Sequence, residues 1–312
     1  MIKIKKALLF LIALCNTVIV FAQSIDDGKR FLYYERHLSA KNVFEKLLAS
    51  NANNTDAAYW LGQAFIGLED IASAKAIYQK TLQNNSNSAL LIAGMGHIEL
   101  LEGKVPDARN RFETALSLSQ NKNIDVLNAI GYANASPETK NGDALYAIEK
   151  LQIATGLKGM KDPEVYCNLG DAYKKLADGG NAQKSYEKAL ALDPKYARAF
   201  YRIGKVYQTQ GTAQEELYMK YYNDAIAADV TYGPVYKNLH EIFYSTDVTK
   251  SADYLDKYLA NIDDEPKNCY FKASMKYAQG LFADALTACD ACINGNPAPY
   301  PNLYGLKGYA YA

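Results

Sequence analysis

Glycine recurs along this chain at a nearly constant interval. Gaps of 34, 34, 35, 39 and 34 residues separate six glycines, which are Gly28, Gly62, Gly96, Gly131, Gly170 and Gly204. A period of roughly 20 to 50 residues is typical of proteins in which one small structural unit is stacked many times. The 312-residue sequence therefore predicts a row of similar units and not a single globular core.

The residues that follow each glycine also repeat. In the clearest unit, Gly170 is followed by Ala182 after twelve residues, then by Tyr186 and Ala189. Residues three and four apart share one face of a helix, so this spacing indicates an amphipathic second helix. A glycine opposite an alanine lets two antiparallel helices approach closely, and the large side chain fills the space beside them. Each unit is therefore predicted to be a helical hairpin.

Two units are longer than the others. In the fourth unit we assign the repeated positions of the second helix to Ala144, Ile148 and Leu151. The extra residues of this unit, about five, are then placed around Gly156–Lys161. The sixth unit has two extra residues, near Glu216.

The unit over residues 163–196 resembles the tetratricopeptide repeat (TPR) family. It has the family's Leu-Gly pair at Leu169–Gly170, the later Tyr173 and Ala182, and the closing Pro194. The resemblance covers nearly the whole chain after residue 22. It implies an all-α, right-handed superhelical α-solenoid of about eight helix-turn-helix repeats, whose first helices line a concave groove.

The repeat units begin at regular places, near residues 21, 55, 89, 124, 163, 197, 233 and 266, with a partial ninth near 301. The partial unit has no second helix after Leu303–Ala312. Solenoids need a polar cap at each end. We therefore expect that the chain is a fragment, or that this edge pairs with further repeats or another chain.

The first 22 residues form a separate segment. Three lysines precede an apolar run over residues 7–21, a pattern typical of a secretory signal peptide. Residues 23–312 would then be an exported solenoid, periplasmic or associated with the cell envelope, without a transmembrane segment. A retained membrane anchor stays open, although the run is shorter than the roughly 20 residues a spanning helix needs. A lipoprotein modified at Cys15 also stays open, although Leu14 occupies a position where a small residue is expected.

Charge and histidine content argue against several functions. Lys and Arg number 34, and so do Asp and Glu, so the chain has no basic excess for a nucleic acid backbone. Three histidines are few for a metal site. The pair His240-Glu241 begins like a zinc-protease helix, but Tyr244 stands at the second ligand position. We expect no nucleic acid partner, no metal, no cofactor and no enzymatic activity.

The eighth unit contains three cysteines. Cys289 and Cys292 form a C-x-x-C motif. Redox pairs of this kind usually lie at a helix N-terminus, whereas these fall in the middle of a predicted helix, so a thiol redox enzyme is a remote alternative. One alternative is that the thiols are buried core residues. The other is that two of them form a structural disulfide, since an exported protein meets oxidising conditions. Cys269 and Cys292 would be its partners, because their positions lie opposite each other in an antiparallel hairpin.

The resemblance also implies which side chains face the groove. First-helix positions 2, 5, 9, 12 and 13 line it in this family, and here they are rich in tyrosine. Tyrosine is enriched in protein interfaces because it offers a large contact area at low entropic cost. The secondary groove candidates are Tyr59, His97, Tyr244, Tyr270 and Tyr277.

One group of candidates is basic. Arg198 and Arg202 lie one helical turn apart, and Asn168 belongs to the preceding unit. Family members that clamp a peptide's terminal carboxylate use a similar arrangement. We therefore predict a partner with an acidic or carboxy-terminal segment. Its predicted binding residues are Tyr132, Asn168, Arg198, Tyr201, Arg202 and Lys205.

These features favour a non-enzymatic scaffold that is located in the cell envelope and binds a protein or peptide through its groove. The alternative within this class is the repeat arm of a larger envelope protein, whose anchoring module lies beyond residue 312.

The signal peptide can be tested by expressing the whole sequence in a bacterial host. We expect the exported protein to begin at Gln23, because signal peptidase cleaves after a small residue such as Ala22. Mass spectrometry of the intact protein and of its N-terminal peptide measures this. A membrane-bound protein that keeps residues 1–22, or a lipid-modified Cys15, would contradict the prediction.

Overall fold

The computed structural model describes residues 23–295 and 300–311 of the chain. These residues form seventeen α-helices, one short 3₁₀ helix and no strand. No described helix has both the length and the apolar character that crossing a membrane requires. The predicted signal peptide, residues 1–22, lies outside the described residues, as does Cys15, and both stay predictions.

Sixteen of the helices form eight consecutive hairpins. The first helices are α1 (Ile25–Tyr33), α3 (Thr55–Gly67), α5 (Ala89–Leu101), α7 (Ile124–Ala135), α9 (Pro163–Lys175), α11 (Ala197–Gln208), α13 (Gly233–Phe243) and α15 (Pro266–Ala278). The second helices are α2 (His37–Ser50), α4 (Ile71–Asn84), α6 (Val105–Leu118), α8 (Ala144–Gly156), α10 (Gly179–Leu192), α12 (Glu215–Ala228), α14 (Val248–Ala260) and α16 (Phe282–Asn294). The 3₁₀ helix Thr212–Gln214 precedes α12, and α17 (Asn302–Tyr311) follows the last hairpin. The predicted all-α solenoid of about eight helix-turn-helix repeats is confirmed.

Short polar side chains and one backbone conformation define the hairpins. Asp70 and Asp178 each accept a hydrogen bond from the backbone N–H three residues later, at 3.0 Å, and so cap α4 and α10. Most turns within a hairpin have three residues, and the middle one has a positive φ. Gly103 and Gly280 take this left-handed conformation at no steric cost. Non-glycine residues adopt it in three other turns, at Glu35, Glu69 and Ala177.

A glycine on the first helix contacts a large side chain of the second helix in six hairpins. The pairs are Gly28 with Phe44, Gly62 with Tyr78, Gly96 with Phe112, Gly131 with Leu151, Gly170 with Tyr186, and Gly204 with Tyr222. A Cβ atom at any of these glycines would overlap the facing side chain. All six of those side chains are fully or almost fully buried. The absence of a side chain on the first helix therefore sets how closely the two helices pack.

The predicted register of the fourth hairpin is wrong by three residues. Gly131 contacts Leu151, so Leu151 takes the position that we assigned to Ile148. Ala147 is fully buried at the alanine position, whereas Ala144 is the first residue of α8. The extra residues therefore lie mainly in the turn between α7 and α8, over residues 136–143, and not around Gly156–Lys161.

A lysine of the next hairpin holds this long turn in place. The Nζ atom of Lys175 donates hydrogen bonds to the carbonyl oxygens of Asn134 at 3.0 Å and Thr139 at 2.7 Å. It also reaches the carbonyl oxygen of Ser136 at 3.3 Å. Thr139 is completely buried. The turn is thus a fixed part of the solenoid wall, because its carbonyl groups are satisfied by a charged donor.

The cysteines of the eighth hairpin have separate roles. A disulfide joins Cys269 on α15 to Cys292 on α16, with Cα atoms 5.9 Å apart. Cys289 is a buried free thiol, and burial raises its pKa above the ordinary value. A raised pKa disfavours the thiolate that redox chemistry needs. Cys289 is therefore suited to packing and not to catalysis.

Helix α17 has two different faces. Leu303 and Leu306 are buried against the eighth hairpin. Tyr304, Tyr309 and Tyr311 are more than half exposed. The pairing of this edge with further repeats or another chain stays a prediction.

The glycine contact can be tested with two alanine substitutions. Gly170→Ala should lower the free energy of unfolding by about 1 to 3 kcal/mol, because its Cβ atom has no room beside Tyr186. Tyr186 cannot easily move, since its hydroxyl is bonded to Asp171 at 2.8 Å. Gly156→Ala is the control, because no atom lies within 4 Å of the added Cβ. Urea unfolding measures both, and equal stability of the two variants would contradict the packing.

Candidate binding cavity

The first hairpin contacts, at and next to its turn, the connections that follow the sixth and seventh hairpins. The hydroxyl of Tyr34 donates to Oδ2 of Asp229 at 2.7 Å. Oδ2 of buried Asp263 accepts the backbone N–H of Ser39 at 2.9 Å, and its Oδ1 pairs with Nε of Arg36 at 3.3 Å. These contacts join residues about 200 positions apart in the chain. The solenoid therefore closes on itself, and its concave side becomes a cavity.

Tyr33 completes the closure with aromatic contacts. Its ring centroid lies 5.2 Å from the centroids of both Tyr196 and Tyr232. Its hydroxyl accepts the backbone N–H of Arg198 at 3.3 Å. Burial raises the pKa of Tyr33 well above its ordinary value, so the phenol stays neutral. We call Tyr33, Tyr34, Arg36, Ser39 and their partners Tyr196, Asp229, Tyr232 and Asp263 the closure contact.

The cavity is partly open and has a volume of about 660 Å³. The first six hairpins contribute to its wall, together with the turn before α13, and the long turn between α7 and α8 supplies Ser136, Pro137 and Glu138. Its lining is rich in aromatic side chains, namely Tyr33, Tyr34, Tyr59, Trp60, Tyr132, Tyr196 and Tyr232.

The structure brings six of the predicted site residues together. These are Tyr59, His97, Tyr132, Asn168, Arg198 and Arg202, and all of them line the cavity. Their role in binding stays a prediction.

Five other predicted residues do not line the cavity. Tyr201 packs between the rings of Tyr222 and Tyr232, and Nζ of Lys205 donates to Asn238 at 2.7 Å. The hydroxyl of Tyr244 donates to the carbonyl oxygen of Ser274. Tyr270 and Tyr277 contact the rings of Tyr300 and Phe282 near the end of the solenoid. Their binding roles also stay predictions.

The two arginines are paired inside the protein. Nη2 of Arg198 lies 3.1 Å from Oδ2 of Asp171, and its Nη1 pairs with Glu164. Nε of Arg202 lies 3.3 Å from Oδ1 of the same Asp171. Oδ1 of Asn168 accepts from Arg198 at 3.2 Å. Arg198 is thus engaged by three side chains, whereas Nε of Arg202 has only the charge pair with Asp171 and no hydrogen-bond partner among the described residues. The acidic or carboxy-terminal partner stays a prediction.

Asp171 is the centre of this network. Burial opposes its charged form, but the guanidinium groups of Arg202 and Arg198 outweigh burial and hold its pKa below the ordinary value. The hydroxyl of Tyr186 also donates to it. One carboxylate therefore links the fifth and sixth hairpins and anchors the glycine contact at Gly170.

The cavity as a whole is acidic. Nine carboxylates line it against five Lys and Arg side chains. Two of each sign belong to the Arg198 and Arg202 network, so seven carboxylates and three cations remain. The seven are Glu35, Glu69, Asp125, Glu138, Asp162, Asp193 and Asp229.

His97 lies on the cavity wall with one nitrogen unused. The residue is 3% exposed, and burial lowers its pKa to about 4, so the ring is neutral at physiological pH. Its Nε2 lies 3.3 Å from Oγ1 of Thr139, and its ring meets Tyr132 edge to face. Its Nδ1 has no hydrogen-bond partner among the described residues. Across the described residues of the whole chain, no cluster of three His, Cys, Asp or Glu side chains is placed to hold a metal ion.

Two groups of site residues were missing from the sequence prediction. Glu164 and Asp171 had a visible signal, because both occupy groove positions in the same unit as Asn168. The closure contact had no visible signal in the sequence, because it joins residues in or next to turns that lie outside the repeated positions. A search of the groove positions for carboxylates next to arginines finds Glu164 and Asp171. No such search finds the closure contact.

Two family models match parts of the chain. A model described as tetratricopeptide repeat matches residues 32–98, and one described as TPR repeat matches residues 180–211. The first stretch includes the complete second hairpin with its contact between Gly62 and Tyr78, and the second stretch covers most of α10 and all of α11. The matches support the resemblance to the TPR family. A comparison with curated proteins finds no match.

Solved structures show the same architecture. The crystal structure of the APC/C hetero-tetramer Cut9–Hcn1 matches 91% of this chain with 14% identity and a TM-score of 0.55. The chain spans 54% of that protein's length. A tetratricopeptide repeat protein from Parabacteroides merdae matches 86% of this chain and 99% of its own, with 16% identity and a TM-score of 0.49. The likeness to Cut9–Hcn1 shows the fold alone. The hairpins and the family models, which match residues 32–98 and 180–211, are consistent with a TPR α-solenoid and with a protein-interaction scaffold.

The buried ion network can be tested at Asp171. Asp171→Asn should lower the free energy of unfolding by about 3 to 5 kcal/mol at neutral pH, because it leaves the largely buried guanidinium group of Arg202 without its carboxylate and that of Arg198 with Glu164 alone. Asp253→Asn is the control, since it breaks an exposed pair with Lys257 that contributes about 0 to 1 kcal/mol. Urea unfolding measures both variants, and equal stability would contradict the network.

The same residue predicts a pH dependence. The folded-state pKa of Asp171 is lowered, so its stabilisation is complete above the unfolded pKa of about 4 and is lost as pH falls through the folded pKa. The stability difference between the native protein and Asp171→Asn should therefore shrink in acid. Unfolding curves at neutral pH and near pH 3 measure this, and a difference that grows in acid would contradict the sign.

Proposed function

We propose that the protein is an exported, non-enzymatic scaffold that binds an extended segment of another protein inside the cavity, within the cell envelope. The TPR fold supports the scaffold function. The pattern of residues 1–22 supports export. The closure contact supports the site, because it turns an open groove into a partly enclosed space.

The aromatic wall of the cavity is the observation that carries this proposal. Tyrosine and tryptophan give large contact areas and are enriched at the energetic centres of interfaces. The volume of about 660 Å³ falls within the range of roughly 300 to 1,000 Å³ typical of ligand pockets. It suits a short extended segment and excludes a folded domain. Partner recognition is therefore expected to depend on the lining and not on the outer surface.

Capture from envelope extracts tests this site. The double variant Trp60→Ala, Tyr132→Ala should capture about tenfold less of the partner, because truncating a central aromatic residue costs about 2 kcal/mol or more. Asp125→Trp should also lower capture, because it adds a ring to the lining without removing a buried side chain. Quantitative mass spectrometry of the bound fraction measures the loss.

The control is the double variant Leu145→Ala, Val230→Ala. Both residues are exposed and apolar, and neither lines the cavity. Circular dichroism checks that all variants keep the native fold. Undiminished capture by both cavity variants, or an equal loss in the control, would contradict binding inside the cavity.

A further inference from the structure

We propose that the bound segment is cationic, with Lys or Arg side chains that enter the cavity and meet its aromatic side chains and the carboxylates that have no ion pair. This inference rests on the proposed function and specifies the partner. It is an alternative to the acidic or carboxy-terminal segment that the sequence predicted.

The carboxylates of the lining are the first argument. No Lys or Arg among the described residues forms an ion pair with any of the seven carboxylates outside the Arg198 and Arg202 network. Asp125, Glu138 and Asp162 are three of these. Burial, and to a smaller extent the negative charges of Glu164 and Asp125, raise the pKa of Asp162 above its ordinary value, although a hydrogen bond from the Glu164 amide and the positive charge of Lys29 oppose the shift. The wall therefore gathers like charges at a cost that a bound cation would relieve.

A lysine already on the wall is the second argument. Nζ of Lys29 lies 5.0 Å from the ring centroid of Trp60, and Lys29 forms no ion pair with a described residue. A cation over an aromatic face is attracted by the ring quadrupole, and more strongly when it is desolvated. Tyr59 and Tyr132 line the same cavity. The wall thus offers a ligand's Lys or Arg the same kind of contact that Lys29 makes.

His97 is the third argument, and it is independent of charge. Its Nδ1 atom is buried, lacks a partner among the described residues, and belongs to a side chain on the cavity wall next to Tyr132. A buried polar atom without a partner is costly. A neutral imidazole nitrogen that is not protonated accepts a hydrogen bond, which a backbone N–H or a cationic side chain of the segment can donate.

Selection from a random peptide library tests the inference. The probe is a library of short unstructured peptides, selected on the immobilised protein from residue 23 onward. We expect the selected peptides to be enriched in Lys and Arg relative to the input. Their binding, measured by fluorescence anisotropy, should weaken as salt rises, because charge pairs at the cavity mouth are screened.

Matched variants assign the charge effect to the cavity. The double variant Asp125→Asn, Glu138→Gln should weaken binding of a selected basic peptide about tenfold, because it removes two carboxylates from the lining. The control Asp224→Asn, Asp253→Asn removes two carboxylates that belong to exposed helix pairs outside the lining, and it should leave binding unchanged.

The possible results separate the two proposals. Enrichment of acidic peptides, with binding still lost in Trp60→Ala, Tyr132→Ala, would overturn the cationic partner and keep the cavity. Basic peptides that lose affinity equally in the Asp224→Asn, Asp253→Asn control would also overturn the cationic site. Selected peptides that bind Trp60→Ala, Tyr132→Ala as well as the native protein would overturn the proposed function itself.

Discussion

The contact between a glycine of the first helix and a large side chain of the second sets the geometry of this protein. It occurs in six hairpins, from Gly28 with Phe44 to Gly204 with Tyr222. Since the same contact recurs, successive units pack with similar geometry, and a regular curvature accumulates along the solenoid. That curvature brings the turn after α1 to the turns that precede α13 and α15. A local packing rule thus produces the long-range closure contact.

The closure contact changes what the concave surface offers to a partner. An open groove becomes a cavity of about 660 Å³ with an aromatic wall. The most basic part of the wall is neutralised, because Arg198 and Arg202 are held by Glu164 and Asp171. These arginines join neighbouring hairpins and stabilise the scaffold, whereas lining carboxylates such as Glu35, Glu69 and Asp125 have no ion pair among the described residues and are available for recognition. Stability and binding therefore use different charges within one surface.

The sequence predicts those features that repeat, and it fails where the structure does not repeat. Periodic glycines, alanines and aromatic residues were enough to predict the helical hairpins and the solenoid. The fourth hairpin was misassigned because Ala144, Ala147, Ile148 and Leu151 are all apolar, so two registers three residues apart both give an apolar helix face. The groove positions indicated four of the cavity-lining residues, Tyr59, His97, Tyr132 and Arg198, and the resemblance to carboxylate-clamping members added Asn168 and Arg202. The pairing of Arg198 needed the geometry of Asp171. The closure contact was out of reach, because the bond from Ser39 to Asp263 spans 224 residues and has no repeated counterpart.

Hydrogen exchange of the Ser39 amide is the most direct test of the closed solenoid. Ser39 is in the first turn of α2, where backbone N–H groups have no partner within the helix. In the closed structure this N–H donates to the buried carboxylate of Asp263 at 2.9 Å, so it should exchange slowly. Asp263→Ala should accelerate the exchange at Ser39 and leave the amides in the middle of α9 unchanged. Fast exchange at Ser39 in the native protein, or no response to Asp263→Ala, would contradict the closure and the cavity that depends on it.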